Sequence, residues 1–296
     1  MPYRKHKYFG IQKPPVGSVI NWGHPMSYGL KSAWLFNEQG GHKYIDIAGN
    51  VGVVSVSGTI VGNTGRYGSC IDCGSGGGNG FLTTMAAGSI PANQGSAWTL
   101  LAIVFTTNAV NGPSGTVINF GEITDNNYNF LMGMDITTNN VASHASGGSG
   151  FGAESGVVLA ANVWNRIGYS QTNHISRVFL SNNTLSANTT DVGTNALSTT
   201  GALQCSIGRM YVNQSPKGAA EDLNGRLACV FSWNRALTQT ELLSWSNNPW
   251  QFISSPKRRI SGAAPKANLP NFGLGGSVGG KILSTPTGAV SKFPLY

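Results

Sequence analysis

The sequence predicts an all-β fold in which two antiparallel sheets pack as a jelly-roll sandwich. Three observations predict it. Charged residues are only 10% of the 296-residue chain, far below the usual quarter. Glycine is abundant at 41, and Ser, Thr and Asn are frequent, so β-branched runs alternate with turn formers. Those runs recur at about 10–20-residue spacing with a turn signal between them, as in a two-sheet sandwich.

The elements follow in order. Leu30–Phe36 reads as the first strand of the body, turned by 37–41. Tyr44–Asn50 reads as a loop. Val51–Val61 is β-branched and punctuated by glycines, and Tyr67–Asp72 is a short strand before the Gly-rich run 74–80. Phe81–Thr84 follows. Ala97–Thr107 is the strongest strand, with Trp98 and Leu100 in one phase and Leu101, Ile103 and Phe105 in the other, so its inner face is open. Thr116–Phe120, Tyr128–Met134 and Val141–His144 come next. Trp164–Ser170 and Ile175–Leu180 read as a hairpin about 172–174, ended by Asn182-Asn183. Cys205–Tyr211 precedes the closing unit.

That unit is the most specified stretch. Leu227, Cys229, Phe231 and Trp233 fall at every second position, the period of a strand with one face in a core. Thr238 and Glu241 stand three apart as a capping box, and Leu237 and Leu242 occupy the hydrophobic-staple positions. Asn248-Pro249 stops the helix. Trp34, Trp98, Trp164 and Trp233 read as core, and Trp245 and Trp250 as packing for the helix.

The net charge of +8 is unevenly placed. Residues 1–29 carry Arg4, Lys5, Lys7 and Lys13 and no acid, and residues 256–296 carry Lys257, Arg258, Arg259, Lys266, Lys281 and Lys292 and no acid. The expected organisation is therefore an extended basic N-terminal arm (1–29), a body (30–253) and a basic Gly/Pro-rich C-terminal arm (254–296). Arms of this composition cannot bury enough of themselves to fold alone. They are expected to lie on partner subunits, with Trp22, Phe272, Phe293 and Tyr296 as apolar anchors beside the charges. No apolar run reaches the length of a membrane span. The N-terminus is basic without an apolar h-region, so no secretory signal is visible, and Met1 favours a protein not exported by that route.

Cys70 and Cys73 form a C-x-x-C, but Cys205 and Cys229 are too far apart to make a second ligand pair, and no His has zinc-ligand spacing. Small buried strand residues are the expected role of all four.

Several short motifs then occur in a fixed order. They are Gly29-Leu-x-x-x-Trp34-Leu-Phe-Asn-Glu38, Asp46-x-x-Gly49-Asn50, Gly68-x-x-x-Asp72, Ala97-Trp98, Trp164-Asn-Arg-Ile, Arg177-Val-Phe-Leu, Ser206-Ile-Gly-Arg209, Leu223-Asn-Gly225 and Trp233-Asn-Arg-Ala-Leu-Thr-x-x-Glu241-Leu. Over residues 29–253 this set resembles the laminin G-like, concanavalin A-like jelly-roll family, which implies two packed antiparallel sheets of about a dozen strands. Upstream, Pro14-Pro-Val-Gly17 and Ile20-Asn-Trp-Gly-His-Pro25 are similar to laminin G-like proteins encoded by tailed bacteriophages. The sequence departs from the family at Ile71-Asp-Cys-Gly74, where relatives often carry Phe-Asp-Gly, and this weakens any transfer of their glycan or calcium chemistry.

A hydrolase on this fold would place carboxylates as E-x-D-x-x-E on one strand. No such stretch exists, and no G-x-S-x-G or P-loop appears. No enzymatic activity is expected. Asp46 with Asn50, or Asp125 with Asn127, would supply hard oxygens for calcium, although such runs are also turn formers. Tyr128, His144, Phe151 and Tyr211 are the loop candidates for stacking on a glycan. The expected function is that of a noncatalytic structural protein of a phage virion, made in the host cytoplasm and present in many copies or as a homo-oligomer. It would sit on the head or the tail, anchored by its arms to other virion proteins and displaying the jelly roll outward, with a host-surface glycan as a further partner. A carbohydrate-binding module without a virion role is the alternative. A nucleic-acid partner is disfavoured, because the aromatics are not interleaved with the basic residues as a stacking platform.

Overall fold

The computed structural model describes residues 12–38, 43–49, 52–57, 61–73, 80–85, 96–106, 114–122, 128–135, 140–145, 153–172, 176–188, 203–209, 211–212, 215–216 and 223–256. Along them run β1 (Val19–Ile20), a 3-10 turn (Pro25–Ser27), β2 (Leu30–Trp34), β3 (Lys43–Ile45), β4 (Gly52–Ser57), β5 (Val61–Gly65), β6 (Gly68–Asp72), β7 (Gly80–Met85) and β8 (Trp98–Thr106). Next come β9 (Ser114–Glu122), β10 (Tyr128–Asp135), β11 (Asn140–Ala145), β12 (Ala153–Val158), β13 (Trp164–Thr172), β14 (Ser176–Ser181) and β15 (Thr184–Asn188). The chain closes with β16 (Leu203–Ile207), β17 (Tyr211–Val212), β18 (Ser215–Pro216), β19 (Gly225–Trp233), α1 (Gln239–Asn247) and β20 (Ile253–Ser254).

One sheet has the order β12-β11-β10-β9-β16-β7-β4-β3. The other has the order β15-β14-β13-β8-β19-β6-β5, with β2 as an eighth strand paired to β19. All pairings are antiparallel. The fold is thus the expected two-sheet antiparallel sandwich with one short C-terminal helix. β19 is the axis of its sheet. One edge pairs with β8, while the other is shared end to end by β6 (at Arg226 and Leu227) and β2 (from Val230 to Trp233).

Two apolar cores result. The first lies between the sheets and draws Trp98, Leu100, Ala102 and Val104 from β8, Tyr169 from β13, and Ile118, Phe120 and Cys205 from the facing sheet. The second lies on the outer face, beneath α1 and the leading segment, and takes Leu101, Ile103, Phe231, Trp233, Leu242, Trp245, Trp250 and Phe252. Both phases of β8 are therefore buried, and the inner face left open by its sequence is in fact two inner faces. Such a strand reads as a continuous apolar run.

The period of two in the closing strand needs correction. The register of β19 against β8 shifts between Leu227 and Cys229, so Leu227 joins the inter-sheet core while Cys229, Phe231 and Trp233 join the outer one. A bulge inserts one residue and moves the residues beyond it to the opposite face. Ser32 and Ser232, both buried, meet at 2.5 Å between β2 and β19.

The helix is built as its sequence dictates. Thr238 is the N-cap, its hydroxyl accepts from the Glu241 N–H, and the Glu241 carboxylate accepts from the Thr238 N–H. Leu237 and Leu242 are buried in the same cluster, as a staple requires. Trp34, Trp98, Trp233, Trp245 and Trp250 are fully buried. Trp164 is only half-buried, edge-on to Tyr67 at 5.5 Å and tilted against Phe105 at 5.5 Å.

Other local readings also change. The stretch read as a loop begins within β3, which pairs with β4, and Asp46 bridges to Trp34. Asn182-Asn183 does not end the β13–β14 hairpin but turns it into β15, both residues taking positive φ (45° and 74°). Paired left-handed residues of this kind match the twist of a two-residue hairpin, and Asn tolerates them. Among the described residues no helix is long and apolar enough to cross a membrane.

Candidate functional site

Residues 1–29 are expected as an extended arm lying on partner subunits, and the structure corrects this for the described part, residues 12–29. They are packed on the body. Lys13 extends its amine to the carbonyl oxygens of Phe36 (3.5 Å) and Ser69, and Asn37 donates to the Pro14 carbonyl at 3.0 Å. Burial pushes the Lys13 amine down to about 8, while the Cys229 and Cys70 sulfurs and the Glu38 carboxylate pull the other way. Lys13 is therefore an internal tie, because its reach of four methylenes suits two inward carbonyls better than a distant partner.

The chain then turns. The Ser18 N–H and hydroxyl both donate to the Pro15 carbonyl (3.2 and 2.7 Å). β1 follows, with Val19 opposite Ser254 and Ile20 opposite Ile253. The Asn21 N–H donates to Phe252 O at 2.9 Å, and the Trp233 indole N–H donates to Met26 O at 2.6 Å. A Cβ added to Gly17 would lie 3.6 Å from Pro256. The first and last described stretches of the chain thus lie side by side.

This edge is unusually apolar. Ser18 and Ile20 point inward, while Val16, Val19 and Trp22 are 55%, 53% and 60% exposed. Tyr28, at the end of the segment, is 78% exposed and carries the Arg235 guanidinium 5.9 Å from its ring centre. Arg235 in turn donates to Glu241 at 2.6 and 3.0 Å and to Tyr28 O at 2.8 Å. Sequence reasoning named Trp22 as an anchor but did not single out Val16 or Tyr28.

The remaining candidates divide clearly. The Asp46 side chain is buried and its Oδ1 accepts from the Ala33 and Ala48 N–H groups at 2.8 and 2.9 Å. That oxygen caps backbone, and so is not a free hard ligand. Asn50, Asp125 and Asn127 lie outside the described residues, and among those described no group of three His, Cys, Asp or Glu gathers in metal-ligand fashion. Tyr128, His144 and Tyr211 fall on β10, β11 and β17, which puts them on strands and not in loops, and their side chains lie outside the description. Phe151, Arg4, Lys5, Lys7, Lys257, Arg258, Arg259, Phe272, Phe293 and Tyr296 also lie outside the described residues.

The four cysteines are buried free thiols. Burial pushes Cys229 up to about 12 and Cys205 well above its ordinary value. A thiol held neutral in this way suits packing better than metal binding or nucleophilic attack.

No protein-family model matches the sequence, and no curated protein matches it. Solved structures do. The Trypanosoma rangeli sialidase in complex with 2,3-difluorosialic acid is similar at a TM-score of 0.52 and 14% identity, over 76% of this chain and 33% of the sialidase. The binding domain of Botulinum neurotoxin DC in complex with rat synaptotagmin II is similar at a TM-score of 0.54 and 13% identity, over 74% of this chain and 51% of that one. The chain thus spans about a third of the sialidase's length and half of the toxin domain's. Identities this low establish a shared architecture that enzymes and binding domains both use, and what they show for this chain is the jelly-roll β-sandwich fold.

Proposed function

We propose that the chain is a noncatalytic structural component of a tailed-bacteriophage particle, on the head or the tail. Its two basic end segments anchor it to neighbouring subunits, and the jelly roll faces outward. The observation that carries this reading is the β1–β20 pairing, which lays Val19 and Ile20 against Ser254 and Ile253, so that the described stretches leading into the two basic segments run side by side. An anchor at one edge leaves the rest of the sandwich free for display. The phage assignment rests on the similarity of residues 14–38 to phage-encoded laminin G-like proteins. That stretch builds the edge itself, through Asn37 and β1.

The test is particle composition. Purified particles of the encoding phage should contain the chain, and deletion of residues 257–296 should remove it while the body stays folded. A chain that is never found in particles sinks the proposal. A glycan array run on the same protein separates the alternative, since specific glycan binding by a chain absent from particles would favour a carbohydrate-binding module.

A further inference from the structure

Four adjacent strands of one sheet carry a single row of side chains across its outer face. Trp164 on β13 lies opposite Phe105 on β8, Phe105 opposite Arg226 on β19, and Arg226 opposite Asp72 on β6. Phe105 shares the phase of Leu101 and Ile103, which face the outer core. The row therefore stands on that face, because alternate residues of a strand point the same way. All four side chains are half-buried. At about 4.8 Å between strands, the row is roughly 14 Å long.

The groups touch in turn. The Trp164 and Phe105 ring centres are 5.5 Å apart, with their planes inclined at 56°. The Arg226 guanidinium lies 5.5 Å from the Phe105 ring centre, and its Nε donates to Asp72 Oδ2 at 3.2 Å. On the other flank of Trp164, the buried Tyr67 ring meets it edge-on at 5.5 Å. Arg66, which is exposed, holds its guanidinium 5.9 Å from the Tyr67 ring centre. Arg166, two positions along β13 from Trp164 and so on the same face, is half-buried and donates to Ser246 O. These residues set three guanidinium groups against one carboxylate, around two half-covered rings.

We infer that this strip binds an acidic saccharide, a short chain of sugars bearing carboxylate or sulfate groups. The inference goes beyond the anchoring role and stands whether or not the chain belongs to a particle. Trp164 and Phe105 offer apolar surface to the C–H face of a sugar ring. The guanidinium groups are planar forks that match a carboxylate or sulfate. Asp72 decides among the anionic occupants, because a carboxylate in the row accepts from sugar hydroxyls. Nucleic acid brings a phosphate at every step, which Asp72 repels. It would also have to stack its bases on rings whose planes stand 56° and 85° apart. An acidic peptide gains its affinity by adding to a sheet edge, whereas β13, β8, β19 and β6 are each paired on both sides along this row.

The test is a titration of the full chain at about 0.15 M salt, where charges beyond roughly 8 Å are screened. The probes are tetragalacturonate, a heparin-derived tetrasaccharide, neutral cellotetraose, tetraglutamate and a single-stranded oligonucleotide of equal charge. At least one anionic tetrasaccharide should bind about tenfold tighter than cellotetraose, tetraglutamate and the oligonucleotide, and which of the two binds names the acid group. Arg66→Gln should weaken that binding by about tenfold, the loss of one charge-assisted contact, and Arg66→Lys should restore part of it. Trp164→Leu should weaken it by a similar factor, about tenfold, with circular dichroism checking the fold. Arg66 is exposed, so its variants keep the test valid if Trp164→Leu does not fold. All variants keep the charges of both terminal segments, so any binding there cancels in the comparison. Unchanged affinity in Arg66→Gln overturns the strip, as do equal binding of cellotetraose and tighter binding of tetraglutamate or the oligonucleotide. Particles provide the separate arm. A chain absent from them that binds the saccharide in this way removes the virion reading and leaves the strip, and a chain present in them that binds neither anionic saccharide removes the strip and leaves the virion reading.

Discussion

Trp233 and Met26 are joined by one hydrogen bond, from the indole N–H to the carbonyl oxygen at 2.6 Å, across 207 positions of sequence. It ties the last long strand to the leading segment inside the outer core. Trp233→Phe removes the donor and leaves that carbonyl unpaired, which costs about 1–3 kcal/mol. Thermal unfolding should show a loss of a few degrees, at roughly 2–4 °C per kcal/mol for a body of this size. Hydrogen exchange should rise first in residues 24–29, and a uniform rise across the sandwich would contradict the tie.

The Lys13 amine titrates at about 8 in the folded chain, against an ordinary 10.5. Between those values the folded state holds fewer protons than the unfolded, so stability rises as pH increases from about 8. Cys229, raised from 9 to about 12, and Tyr44, raised from 10 to about 12, act in the opposite sense, because burial favours their protonated forms. Their contribution is complete below about 9 and is lost toward 12. Stability should therefore gain about 1 kcal/mol from pH 8 to 9 and fall beyond. Denaturant midpoints of Lys13→Met should lack the rise and keep the fall.

The capping box and the Arg235 pair meet at Glu241. Burial raises the Glu241 pKa, but the hydrogen bonds from Arg235 and from the Thr238 backbone outweigh it and hold the carboxyl below its ordinary 4.5. The stabilisation is present above that value and is lost as pH falls through the folded pKa. Thr238→Ala should cost about 1 kcal/mol. Glu241→Gln should flatten the acid-side loss of stability, and because the two residues share one network, the double variant should lose less than the sum.

Asp46→Ala removes the carboxylate oxygen that accepts from the Ala33 and Ala48 N–H groups, at about 1–3 kcal/mol. Asp46→Asn keeps the accepting oxygen and should cost well under half as much. The same melts with added calcium and with chelator test the calcium expectation. A calcium-dependent midpoint that Asp46→Asn abolishes would place Asp46 in a metal site after all.

Gly225 opens β19, where an added Cβ would fall 1.9 Å from the Phe105 carbonyl oxygen. Neither backbone can give way between three paired strands. Gly225→Ala should therefore cost at least about 3 kcal/mol, the upper end for overpacking, read as lost soluble yield or a collapsed midpoint.

The class of fold was legible from composition and spacing, and α1 was legible to the residue, because a capping box and staple are local rules that tertiary contacts did not override. What could not be read were matters of pairing. The bulge at Ala228 has no signature of its own, since Leu227 and Cys229 are apolar whichever face they take. β3 and β15 are short, and their strand character comes from β4 and β14 beside them. Lys13 carried the largest error. A lysine between Gln12 and Pro14 looks like part of a solvated basic tail, and only the Phe36 and Ser69 carbonyls show where its charge goes. Trp22, by contrast, was readable as an exposed anchor, while nothing in the sequence set Val16 apart from its neighbours.

The place of β19 in its sheet has a consequence for synthesis. This axis strand is the last long one in sequence, while β2, which shares its edge, is among the first. At about 5–20 residues per second, roughly 10–40 s pass between the emergence of Trp34 and that of Gly225. For that interval β2 has none of its main partner, and for about 6–24 s of it, after Thr106 has emerged, β8 lacks a neighbour on one side. The nascent chain therefore exposes two apolar strand edges until almost the whole body has left the ribosome. A chain stalled before residue 225 would present those edges to every other copy being made nearby.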